Sequence, residues 1–482
     1  MFTLARAHLT YFILCITSLY LFACAPTSTP AKPSNITVIK NATILTMNAE
    51  RDVIDKGVIV IEGSDITAIG AATLAADHPN AHHIDAQGAI VMPGMINLHN
   101  HLSMIAFRGI AESGITDFQD RLENYFFPLE AELLDRKLIH VSARHAAIEM
   151  ALAGVTTTAD MYYHEDEVAK AVKSVGMRGV LGETVIGFPV VDAPEPYGGL
   201  AYGEQFIKDW QDDPLITPAL APHAPYTMSP EKLRETKALS DQYNAPILIH
   251  MDEIGHEEAL TAERFPDSTQ NRTVVEYLDD LEFLGPNVIA AHVNHVTPSD
   301  IATLKARGVG VAHNPKANTK DMSGLAPAWD MYKAGLAIGL GTDGPMSSNQ
   351  MDIINVMPYA VRIARIRDTN IARFDPVEVV AMATINGARA LNMEDEIGSL
   401  EVGKKADLIL IETQSPNMQP NYNPYATIVL SAYPSNVILT MVDGKIIAHD
   451  GKPTNIDMDA HRKDWGQIQQ KVSDFLKSRS AP

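Results

Sequence analysis

The sequence predicts an α/β protein: a (β/α)8 TIM barrel with a small discontinuous β-sandwich domain. Three observations lead there. Eight strand-like runs alternate with helix-period stretches between about Met92 and Met393. Two β-rich segments bracket that middle from the two ends of the chain. The titratable residues gather where the barrel strands should end, at the rim where such barrels place their chemistry.

In chain order, Arg6 and His8 precede a mostly apolar stretch from Leu9 to Ala23, short for a membrane span and of signal-peptide length. Leu21-Phe22-Ala23-Cys24 resembles a bacterial lipobox, with Phe22 bulkier than the usual residue there. Cleavage before Cys24 and acylation of its thiol are expected, giving an exported, membrane-anchored lipoprotein, periplasmic or associated with the outer membrane. An ordinary cleavage site at Ala23-Cys24-Ala25 is the rival, disfavoured by Pro26. Signal peptide (1–23) and a flexible tether containing PTSTPAKP (24–35) therefore precede the fold.

The first sandwich part (36–92) carries ITVIKNATILTM and GVIVIEGSDITAIG; the second (396–455) carries ADLILIE and VILTMVDGKIIAHDG. Between them lies the barrel (93–395), with strands expected at 96–101, 154–161, 177–184, 216–222, 246–250, 287–292, 308–313 and 336–342. The connection from Leu102 to Glu130 is long and contains Gly109, Gly114 and Pro128, as a lid or pocket wall would. A polar helical tail (456–482) closes the chain.

Composition excludes some functions. With 482 residues, a net charge of −21 and no dense Lys/Arg run, the chain is not built to bind nucleic acid. Its two cysteines, Cys15 and Cys24, leave the body beyond Ala25 without a thiol, which removes disulfides and cysteine-ligated deaminase chemistry. A homodimer is open as the assembly, and no motif encodes the oligomeric state.

The expected strand ends carry His99 and His101, then His223 in PHAPY, His250 with Glu253 three residues on, His292, His313, and Asp343 in GTDG. Two histidines at i and i+2 on a strand share a face and can converge on one ion. Alone the pair is a weak signal; joined by groups from strands five and eight it becomes a metal site. His145, in a helical stretch, reads as structural, and His295 and His313 carry no assigned role. Asp160, Tyr162 and His164 follow strand two and are candidates for the pocket lining.

PGMINLHNHLSM, APHAPYTMSP, LIHMDE, AAHVNHVT, VAHNPKANTK, GLGTDGPMSSN, ATINGARAL and GSLEVGKKADLIL occur in the order of the amidohydrolase superfamily's sequence blocks. Over about residues 36–451 the chain resembles that superfamily's mononuclear-metal branch of cytosine and adenosine deaminases and triazine hydrolases. Within it, the chain is most similar to methylthioadenosine and S-adenosylhomocysteine deaminases.

The resemblance implies that His99, His101, His250 and Asp343 bind one divalent metal, zinc or alternatively iron(II). Binuclear relatives carry a bridging lysine or glutamate at strand four, and LITPALAPHAPY has none at its end. The resemblance further implies that Glu253 shuttles protons and contacts the substrate, that His292 and Asp343 assist catalysis, and that His223 and Glu130 bind the substrate. Glu130 aligns with a ribose-contacting glutamate only across a two-residue insertion.

Two blocks depart from the family pattern: Lys316-Ala317-Asn318-Thr319 after strand seven, and HMDE at strand five. They spare the ligands and bear on substrate shape. The expected activity is hydrolytic deamination of a small heterocyclic substrate, an adenine nucleoside foremost. Triazine or cyclic-amide hydrolysis is the alternative within enzymes, and an inactive surface-anchored binding protein is the alternative outside them.

Overall fold

The computed structural model describes residues 35–480; the expected signal peptide and lipid-bearing Cys24 lie outside these residues. No helix among the described residues is long and apolar enough to cross a membrane.

Eight parallel strands form the barrel wall: Met95–Asn100, Val155–Tyr162, Arg178–Val185, Ile216–Pro222, Ile247–Met251, Val288–His292, Gly310–His313 and Ala337–Leu340. They neighbour one another in chain order. All eight expected strands are present, their ends shifted by a few residues. Nearly every strand residue is buried, because helices cover the outer face while side chains fill the inside. Ile96, Leu98, Val180, Leu248, Ile289 and Ala312 belong to that inner core.

The first and last strands meet through polar groups. The Asp343 amide donates to the His99 carbonyl (2.9 Å). The Asn97 side chain donates to Thr342 Oγ1 (2.8 Å) and accepts from the Thr342 amide (3.0 Å). Gly341 permits this approach, since a Cβ there would lie 2.2 Å from Asn314 Oδ1 and 3.0 Å from His99 backbone atoms.

The two chain ends build one nine-stranded sheet. Ile90–Pro93 pairs antiparallel with Leu408–Ile411, joining the N-terminal strands to the C-terminal ones. Ile39, Ile44 and Ile61 from one end share an apolar core with Leu408, Leu410 and Met441 from the other. Arg178, at the start of barrel strand three, grips Asp407 with two nitrogens (3.1 and 3.2 Å) and fastens the barrel to this sheet.

The tail forms the helix Met458–Ser480, which packs on the helix Arg136–Leu152. There His145 stacks on Trp465 (centroids 4.1 Å apart, planes at 7°) and meets His461 Nε2 at 3.1 Å, which gives its ring a packing role.

Candidate metal centre and active site

The first strand carries an irregularity that aims the histidines. Asn97 pairs with Thr158 and Asn100 with Asp160, so the strand holds one residue more than its partner between those points. Ile96 and Leu98 point into the barrel, and strict alternation would turn His99 outward with Asn97. The bulge resets the phase, and His99 and His101 both face inward. Asn100 is turned to the neighbouring strand, donating to Thr158 Oγ1 (2.6 Å) and the Ala159 carbonyl (2.9 Å).

Four imidazoles and two carboxyl groups converge at the rim. His99 Nε2 lies 3.6 Å and His101 Nε2 3.4 Å from Asp343 Oδ1. The rings of His99 and His250 are 5.0 Å apart, and those of His99 and His292 5.2 Å. Ligand-capable atoms fall within 4.8 Å of one another in three sets: His99, His101 and Asp343; His99, His250 and His292; and Glu253, His292 and Asp343. The backbone is constrained here, with positive φ at His292 (74°) and Asp343 (61°), a strain that clusters at functional sites.

The donors suit a cation. His101 Nδ1 donates to the Met161 carbonyl and His250 Nδ1 to the His223 carbonyl, both at 2.7 Å. When neutral, each ring therefore keeps its lone pair on Nε2, and these two Nε2 atoms face each other at 3.3 Å. Two lone pairs so placed repel unless a cation lies between them. His99 Nε2 is buried without a hydrogen-bond partner. Burial lowers the His99 pKa to about 3 and that of His250 well below its usual value, favouring the neutral, ligating form. Burial alone would raise Asp343, yet the positive charge that the His101 and His99 imidazoles can carry beside it holds its carboxyl far below the usual carboxylate range.

The groups around this cluster are also fixed. His292 Nδ1 donates to Asn318 Oδ1 (2.8 Å); Asn318 donates to Asn294 Oδ1 (2.6 Å), and Asn294 to the Glu253 carbonyl (2.9 Å). This relay leaves His292 Nε2 free, 3.7 Å from Glu253 Oε1. Burial, then the charges of Asp343 and Glu257, push the Glu253 carboxyl well above its ordinary value. Asn318 sits in one of the departing sequence blocks, and no local spacing marked it as the partner of His292.

A cavity opens from the cluster. His223 and Glu130 line it, together with Glu253, His292 and Asp343. His223 is packed 4.9 Å from the His250 ring, and burial lowers its pKa to about 3. Glu130 accepts from the Tyr162 hydroxyl at 2.7 Å. The long first connection supplies Phe118, Leu122, Phe126 and Phe127, the pocket wall its length suggested. It is pinned by Arg121, which pairs with Asp321 and donates to the Met346 carbonyl (2.6 Å), all buried.

Other candidates fall elsewhere. Asp160 accepts from the Leu102 amide (2.6 Å), beneath the site. His164 precedes the helix Glu165–Val175, His295 Nε2 bonds the Ser323 carbonyl (2.6 Å), and His313 is buried and absent from the cavity lining. Sequence reasoning missed Met104, Thr184, Tyr226 and Ser347, which do line it; Met104, Tyr226 and Ser347 lay in recognised blocks without being singled out, and Thr184 lay in none.

Known proteins match this arrangement. A sequence model of the Amidohydrolase family matches residues 90–447. A 5-methylthioadenosine/S-adenosylhomocysteine deaminase of Syntrophobacter fumaroxidans is 34% identical over 88% of this chain and 95% of its own length. A 5'-deoxyadenosine deaminase of Methanosarcina mazei is 37% identical over 87% and 94%. The crystal structure of an adenosine deaminase from Xanthomonas campestris with bound zinc superposes with a TM-score of 0.87 at 27% identity, covering 92% of this chain and all of that one. An atrazine chlorohydrolase from Arthrobacter aurescens complexed with zinc shares the fold (TM-score 0.82, 21% identity, 90% and 100% covered). With the family pattern running through barrel and flanking sheet, and relatives aligned almost end to end, the chain belongs to the amidohydrolase family.

Proposed function

We propose that this protein hydrolyses the exocyclic amino group of an adenine nucleoside, releasing ammonia. The observation that carries this reading is the set of bare, inward-facing Nε2 atoms beside Asp343, with the buried Glu253 carboxyl next to them. The names of the relatives support it.

His99, His101, His250 and Asp343 would hold one zinc ion. An ion held there would lower the pKa of water from ~15.7 towards ~7 and so would supply hydroxide at neutral pH. Asp343 accepts the proton that this water gives up. Glu253 donates a proton to the ring nitrogen beside the amino-bearing carbon, making that carbon electrophilic. His292, held by Asn318, hydrogen-bonds the oxygen as it adds. Asp343 then passes its proton to the amino group, the C–N bond breaks to release ammonia, and the ring carbonyl forms as the remaining hydroxyl proton returns to Glu253. His223 orients the base, and the Glu130 carboxylate accepts from the sugar hydroxyls.

Zinc-loaded protein should release ammonia from adenosine, 5-methylthioadenosine or 5'-deoxyadenosine. No ammonia from any nucleoside, with chloride released from a chlorotriazine instead, would overturn the reading.

Glu130 gives a pH-dependent check. Burial, opposed by the Tyr162 hydroxyl, raises its pKa to about 7, so the carboxyl is protonated below that pH and charged above it. KM for a ribonucleoside should therefore fall as pH rises through about 7. Glu130→Gln should raise KM roughly tenfold above that pH and flatten the profile; steady-state kinetics at several pH values reads both.

We also propose, on the sequence around Cys24, that the protein is exported and lipid-anchored. Cys24→Ser should move it from the membrane to the soluble fraction of its host. Unchanged membrane retention would remove the anchor.

A further inference from the structure

A second cavity of ≈ 230 Å³ adjoins the active-site cavity. Phe127, Glu130 and Tyr163 line both. Beyond them its walls are apolar, built from Leu134 and from Phe188 to Val191, the loop after barrel strand three. That loop is held in place. Val190 and Ala193 exchange backbone hydrogen bonds (2.9 and 3.2 Å), and the Phe188 ring meets Phe127 edge-on with centroids 5.4 Å apart.

The wall chemistry is specific. No lysine, arginine or histidine lines this cavity, and its titratable groups are Glu130 and Tyr163. The nearby Arg136 is engaged by Asp166 and Glu167. The volume would admit a long substituent, so size does not select; charge does. A carboxylate entering here would shed water without gaining a counter-charge, beside an acid of its own sign. A thioether or methyl group would exchange water for aromatic and aliphatic contacts.

We infer that this cavity receives the 5' substituent of the nucleoside and selects uncharged ones. The substrates are then 5-methylthioadenosine and 5'-deoxyadenosine, and S-adenosylhomocysteine, with its zwitterionic tail, is discriminated against. The inference rests on the nucleoside-deaminase reading and narrows it. The imidazoles line the first cavity and none lines the second, with Phe127, Glu130 and Tyr163 common to both. A nucleoside with its base at the first therefore directs its sugar and 5' end past Glu130 towards the second.

Zinc-loaded protein should be assayed for ammonia release from adenosine, 5-methylthioadenosine, 5'-deoxyadenosine and S-adenosylhomocysteine. kcat/KM for the methylthio and deoxy compounds should exceed that for S-adenosylhomocysteine by roughly 100-fold. Val191→Arg, at the partly exposed rim, places a cation there and should shift the ratio about tenfold towards S-adenosylhomocysteine. A wild-type ratio within tenfold of unity, with adenosine turned over, overturns this inference and leaves nucleoside deamination standing. No ammonia from any of the four overturns both.

Discussion

His250→Ala should yield a folded protein that retains almost no metal and almost no turnover. His250 supplies an Nε2 lone pair that points at His101 Nε2 across 3.3 Å, its ring locked by the 2.7 Å bond from Nδ1 to the His223 carbonyl. Loss of an orienting partner alone typically costs 10–100-fold in metal affinity. Loss of the ligand itself should exceed that, leaving metal well below one equivalent after dialysis. Asn318→Ala is the contrast: it unhooks His292 from its 2.8 Å partner and should lower kcat with metal retained. Elemental analysis beside ammonia-release kinetics separates the two, and full occupancy in His250→Ala would remove that residue from the ligand set.

Glu253→Gln should behave oppositely, holding its metal while kcat falls by about 10²–10⁴-fold. The amide preserves shape and volume at the buried cavity wall but carries no acidic proton for the ring nitrogen. Backbone bonds that fix the segment are untouched: the Glu253 amide still donates to Glu257 Oε2 (2.9 Å), and the Glu253 carbonyl still accepts from Asn294. Structural damage is therefore not expected to contribute. A variant with near-native kcat would place the proton shuttle elsewhere, with His292 as the next group to examine.

The barrel was legible because its strands are short, largely apolar runs separated by helical stretches, and burial on both faces imposes that pattern. The convergence of His99, His101, His250 and Asp343 was legible for the same reason, since parallel strands deliver their C-terminal residues to one rim. What escaped was long-range or irregular. The i, i+2 spacing accounts for His99 and His101 sharing a face, but the bulge after Asn97 decides which face, and nothing in LHNH announces it. The relay from His292 through Asn318 to Asn294 joins residues on different elements. The apolar chamber depends on Phe188 meeting Phe127 across the mouth of the barrel, which neither loop signals alone.

The seam between strands one and eight gives the ion a second consequence. His99 and Asp343 belong to the first and last staves of the ring and are already joined backbone to backbone. A cation shared by their side chains would act as a clasp on the ring, and its binding energy would become folding energy. At a free concentration of 1,000 times Kd it would add about 4 kcal/mol to the stability of the closed barrel. The clasp cannot close until Asp343 has been synthesised and the last strand has docked. Metal uptake would therefore mark closure of the barrel, and chelation should loosen first the seam between its first and last strands.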